Sequence, residues 1–290
     1  MKKSLVILLI TLQILCFFTA CTESSASAPR VLEIQTETYS EYTEWANHYY
    51  EITGTTTFTD DKVPAKKDFT FMDKTYSLNY TESRRYATSS TQSNYYNIPG
   101  IQYGFIAFRS NGKPWRIGNP DSICTVDGIT ENTSVEQAAR LVQEKLSPYI
   151  DFSQYPTLSH ENLGYGFDLY WEHTVNGIVA SSIFVRLENN GNITTIDFPP
   201  SEFEISDSEY EEALKKCPLE THEAFLKAKL DKIYKTDTIE YKEDSWHIRN
   251  YYLASYEGKP AIKYRIGLEF RKKNTEQYWG ELCSLLIVLE

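Results

Sequence analysis

The sequence predicts an α+β protein: a β-rich N-terminal domain followed by two helix-and-antiparallel-meander units. Three observations lead there. An amphipathic helix stripe gives way to segments with a period of two. The same order of helix, strand, turn and strand recurs further on, with turn glycines at Gly177 and Gly258, 81 positions apart. Short turn signals such as Asn176-Gly177 separate the alternating runs, as hairpins require.

Met1-Lys2-Lys3 is a basic start, and residues 5–18 are mainly apolar. That run is too short to cross a bilayer comfortably and reads as a secretory signal peptide over residues 1–20. Phe17-Phe18-Thr19-Ala20 followed by Cys21 resembles the bacterial lipobox, with Phe18 where leucine is usual. The resemblance implies cleavage before Cys21 and lipidation of that cysteine. Residues 21–30 are rich in Ser and Ala and read as a flexible tether. The expected location is the extracytoplasmic face of a bacterial cell membrane, with membrane contact only through the N-terminal lipid.

Residues 31–125 read as a mainly β domain. Leu32 and Ile34 alternate with polar neighbours, and so do Tyr76, Leu78 and Tyr80. Tyr42, Trp45, Ala46 and Tyr49 fit helical spacing. Residues 104–109 and 114–117 flank Ser110-Asn111-Gly112-Lys113, a hairpin signal. A loop over residues 118–132 closes the domain.

Thr133-Ser134-Val135-Glu136 has capping-box spacing, which places the helix cap at Thr133. Val135, Ala138, Ala139, Val142 and Leu146 form one apolar face, and Pro148 stops the helix. Phe167, Leu169, Trp171, His173 and Val175 alternate with polar residues, then Ile183, Val185 and Leu187, then residues 193–198 after an Asn-Gly-rich turn. Pro199-Pro200 and an acidic run mark a boundary, with a short helix over residues 209–217 before Pro218. Phe225, Leu226, Leu230, Ile233 and Tyr234 give the next helical stripe. Strands follow over residues 246–256, 262–270 and 282–289, the last almost wholly apolar and so read as buried.

The pieces at residues 134–139, 170–177, 183–187 and 191–196 resemble the PepSY family. These are small α+β modules of secreted and membrane-anchored bacterial proteins, some of them in protease propeptides. The resemblance covers residues 133–198 and, more loosely, 208–290. It carries no catalytic residue; it implies inhibition or chaperoning of another protein.

Charge narrows the partners. Residues 1–20 hold two lysines and no acid, so without them 27 cations face 40 acids, a net −13. Such a chain is repelled by nucleic acid and by anionic headgroups. Cys124, Cys217 and Cys283 remain after the signal and Cys21, with no disulfide framework and room for one pair at most. No Gly-x-Ser-x-Gly, His-Glu-x-x-His or phosphate-cradling glycine loop is present, and no metal or cofactor is expected. His173 reads as a core or edge histidine. Cys217 and His222 are five apart across Pro218, which should keep them off a shared helical face. A hidden hydrolase would show a Cys–His contact or a carboxylate pair in a cleft. Asp60-Asp61 and the acids of residues 202–212 read as solvated loops.

The expected function is therefore non-enzymatic: binding or modulating another envelope protein, with an extended peptide added at an open strand edge. The alternative is a carbohydrate- or small-ligand-binding lipoprotein. Its 22 tyrosines offer flat rings with polar tips. Tyr49, Tyr50 and Trp171 are the candidate platforms.

Overall fold

The structure is a computed structural model that describes residues 28–34, 51–52, 54–86, 88, 92–200 and 204–290. It is mostly β, with antiparallel sheets and, among the described residues, three helices.

The larger sheet has eleven strands. They are β2 (Thr55–Phe58), β3 (Lys66–Phe71), β4 (Lys74–Tyr86), β5 (Gln92–Asn97), β6 (Phe105–Arg109), β7 (Pro114–Gly118), β8 (Cys124–Thr125), β9 (Thr157–Asn162), β10 (Gly166–Val175), β11 (Ile178–Glu188) and β12 (Asn192–Asp197). The spatial order is β2-β4-β5-β6-β7-β12-β11-β10-β9, with β3 also on β4 and β8 also on β12. The pairing of β7 with β12 makes one sheet of the strands on either side of the loop over residues 118–132. Helix α1 (Val135–Leu146) covers one face: Ala138, Val142 and Leu146 pack with Ile106, Ile117, Leu169, Ile183 and Val185.

The cap of α1 is Ser134, which accepts from the Gln137 amide at 3.3 Å, one residue later than the sequence suggests. Thr133 is occupied elsewhere. Its Oγ1 accepts from the Thr130 amide at 2.8 Å, tightening the turn before the helix. A complete capping box occurs instead at Ser206 and Glu209, opening α2 (Asp207–Lys216).

The smaller sheet takes β1 (Val31–Ile34), β13 (Ile239–Tyr241), β14 (His247–Tyr256), β15 (Lys259–Lys272) and β16 (Trp279–Val288). Its order is β1-β16-β15, with β13 and β14 both on the far side of β15. So β1 lies in this sheet, beside β16, and not with the strands that follow it in sequence. β16 is buried on both faces, which explains its unbroken apolar run. Cys283, Leu285 and Ile287 meet α2 and α3 (Leu219–Tyr234), while Leu286 and Val288 meet Ile34, Ile52 and Ala261.

Two hairpin turns have matching backbone. Asn176 and Gly177 have φ of 51° and 79°, and Glu257 and Gly258 have 52° and 74°, the primed turn that suits strand twist. The tip of the β10–β11 hairpin joins the sheets. Val175 and Ile178 are buried in the core under α2 and α3, away from the sheet that carries them.

Candidate functional site

Among the described residues, one edge of the larger sheet is open: strand β9 pairs only with β10, and all of its residues but Ser159 are exposed. Its turn is a two-residue loop, Gly164-Tyr165. Gly164 has φ of 79°, as the first position of a type II′ turn requires, and the Leu163 amide donates to the Gly166 carbonyl at 3.0 Å. That closing pair fixes which backbone groups face outward. Hydrogen-bonded and non-bonded pairs alternate along an antiparallel ladder. Counting from Leu163 and Gly166, residues Leu158, His160 and Asn162 fall in non-bonded pairs with β10. Their amides and carbonyls therefore point away from the sheet, over an edge of roughly 20 Å for six residues.

The register also aligns side chains on the face opposite α1. Glu82, Tyr95, Ala107 and Arg116 stand in one cross-strand row, and Asp197, Phe184, Tyr170 and Ser159 continue it to β9. The adjacent row runs through Phe105, Gly118, Thr195, Arg186, Asp168 and Glu161. A side chain at Gly118 would meet the Phe105 ring at 2.6 Å, so this glycine is the bed on which that ring lies. Tyr170 and Phe184 pack at 5.0 Å, while Trp115 meets Tyr86 and Tyr95 edge-on. Burial and a bond with Tyr86 raise the pKa of the Tyr95 phenol, so it stays neutral. Arg186 holds Asp168 through two bonds of 2.8 and 2.7 Å, and Arg116 holds Asp197 in the same two-pronged way. Both carboxylates are thus already committed to guanidiniums. The face presents aromatic rings and ion pairs in fixed positions.

The residues singled out in the sequence are placed as follows. Cys21, Tyr49 and Tyr50 lie outside the described residues. Trp171 is 4% exposed and packs edge-on against Phe152 at 5.1 Å, so its ring belongs to the core and offers no platform. The alternation put it on the inward side of β10, and that side is covered by α1. His173 is an edge histidine: Nδ1 meets the Gln154 carbonyl at 3.2 Å and Nε2 meets the Asp207 carboxylate at 3.1 Å. It ties β10 to the first turn of α2. Cys124, Cys217 and Cys283 are free thiols. Asp60 accepts from the Lys62 amide and from Gln92, as a turn-forming loop residue.

Cys217 and His222 share no helical face, as Pro218 suggests, yet they touch. Pro218 ends α2 and caps α3, so the chain folds back and brings Sγ within 3.3 Å of Nε2. The contact is not a reactive pair. Nε2 also reaches the Cys217 carbonyl at 3.1 Å, and a carbonyl can only accept, so Nε2 carries the proton. Nδ1 then accepts from the Tyr264 hydroxyl at 2.6 Å. No ring nitrogen is left to take the thiol proton. Burial raises the Cys217 thiol and lowers the His222 imidazole, which keeps both neutral. His222 is 1% exposed, and the cluster latches α2, α3 and β15 together.

Among the described residues, no three acidic, histidine or cysteine side chains gather as a metal site, and no helix is long and apolar enough to cross a membrane. No protein-family model, curated protein or solved structure matches the chain. Sequence reading missed β9, because Thr-Leu-Ser-His-Glu-Asn has no apolar alternation. The signal that could have found it is Gly164-Tyr165, a glycine-first two-residue turn ahead of an alternating strand.

Proposed function

We propose that this chain is a lipid-anchored lipoprotein of the extracytoplasmic cell surface that binds or modulates another envelope protein without bond-making chemistry. The observation that carries the reading is the edge of β9. Its outward amides and carbonyls at Leu158, His160 and Asn162 offer main-chain bonds to an extended segment, and the aromatic and ion-paired rows run up to that edge. The test is capture from native envelope by the full chain in detergent, with hydrogen exchange on the complex. A bound partner slows exchange at those three amides. His160→Pro removes one outward donor and leaves the β9–β10 bonds in place. It should lose the partner with its melting temperature kept. Unchanged capture by this variant would sink the reading.

The PepSY-like reading of two helix-and-meander units belongs to the same proposal. It is supported by the matching positive-φ pairs at residues 176–177 and 257–258, and by a helix ahead of each run of strands. The anchor reading rests on Cys21 in its lipobox-like setting. Cys21→Ser should move the protein from the membrane to the soluble fraction, and mass spectrometry should find the acyl chains missing. A Cys21→Ser protein that stays in the membrane counts against the anchor.

A further inference from the structure

We propose that the cleft around Tyr165 is a saccharide-binding site, taking a short stretch of a neutral sugar chain. It lies where the β9–β10 turn, the β11–β12 turn and the segment before α1 meet. It is a shallow, solvent-open depression of about 700 Å³. Its side chains are those of Thr130, Glu131, Tyr165, Glu188, Asn189 and Asn190.

The backbone is fixed before any ligand arrives. The Asn189 amide donates to the Tyr165 carbonyl at 2.9 Å, and its side-chain Nδ2 to the Gly164 carbonyl at 3.3 Å. The Gly164 amide donates to Asn162 Oδ1 at 2.8 Å, and the Val126 amide to the Gly191 carbonyl at 2.8 Å. The loops are also pressed together. A Cβ at Gly166 would stand 2.0 Å from the Leu187 carbonyl oxygen, and one at Gly191 would stand 2.4 Å from that of Val126. On this frame Tyr165 is 56% exposed. A rigid turn thus holds a broad apolar surface in water, where it adds nothing to the core. Such a ring costs little further entropy when a ligand stacks on it.

The lining selects the ligand class. Among the described residues the cleft is lined by no Lys or Arg, so a phosphate or carboxylate ligand would face Glu131 and Glu188 and be repelled. A single ring makes no cage of the kind that holds quaternary ammonium. Nδ2 of Asn189 already donates to Gly164, and Nδ2 of Asn190 donates to Glu188 at 3.3 Å. The cleft offers acceptors in two carboxylates and Oδ1 of Asn189, and donors in the second N–H of each Asn Nδ2 and the Tyr165 hydroxyl. The complementary ligand brings several hydroxyl donors and one flat C–H face for the ring, and a neutral pyranose has both.

This inference does not rest on the β9 peptide reading. Its test is an array of neutral glycans probed with the labelled full-length chain in a sugar-free detergent, followed by calorimetric titration of the hits. Neutral glycans should bind, and Tyr165→Ala should weaken them about tenfold or more at an unchanged melting temperature. His160→Pro should bind sugar as the parent does. Retention of no neutral glycan, retention of charged glycans alone, or full affinity in Tyr165→Ala would overturn the assignment.

Discussion

His222 shows how a residue type that suggests catalysis can instead serve the fold. Its two nitrogens are engaged by the Cys217 carbonyl and the Tyr264 hydroxyl, and the second bond, in which Nδ1 accepts, needs a neutral ring. Burial holds its pKa below the ordinary 6.5. The unfolded chain therefore takes up more protons than the fold as pH falls below about 6.5. The stability that the latch contributes is full above that value and declines as pH falls towards the folded pKa. Melting temperature should drop between pH 7.5 and 5.5, and the drop should be smaller in His222→Gln. Trp171 makes the complementary case. Alternation placed it on the apolar side of its strand, which is the side that α1 covers. Trp171→Ala should cost about 3–5 kcal/mol in urea unfolding, the range for a large aromatic lost from a core. A value near zero would return Trp171 to the surface.

Strands and helices with a strong apolar period were legible; those set by tertiary contacts were not. The Ala138–Val142–Leu146 stripe, the Asn176-Gly177 and Asn111-Gly112 turns and the apolar β16 follow from local rules. Other elements were hidden for identifiable reasons. The β3–β4 turn uses Met72 and Asp73, with φ of 51° and 61°, and has no glycine to announce it. β9 has almost no buried side chain, so it carries no pattern. The contact of Cys217 with His222 depends on the direction in which α3 leaves Pro218, which no spacing encodes. Of the candidate site, the aromatic supply was visible in the composition, but its alignment into rows depends on pairings between residues as far apart as Arg116 and Asp197. The ion pair that crosses β10 and β11 is open to test. Arg186→Ala leaves the Asp168 carboxylate, 5% exposed, without its partner. That should cost about 1.5–3 kcal/mol in urea unfolding, the range for hydrogen bonds to charged groups.

The two sheets do not behave as separable bodies. Val175 and Ile178 leave one sheet to complete the core of the other, and His173 reaches Asp207 across the same joint. Ile178→Ala should cost about 2–5 kcal/mol. Probes in either sheet should still report one coincident transition. Early loss of the smaller sheet alone would show that the joint is weaker than its burial suggests. A different consequence follows from β1. Val31 pairs with Ile287, and Ile34 with Ser284, so beyond a single bridge from Ile34 to Ile52 the first described strand has no ladder among the described residues until β16 has formed. A chain delivered across a membrane from its N-terminus would hold Val31 and Leu32 waiting through the arrival of some 250 further residues. Closing so long a loop is slow, and the waiting apolar edge is open to wrong pairings. Assembly of the β1 edge should therefore wait for β16, and shielding β1 until then should raise the folded yield.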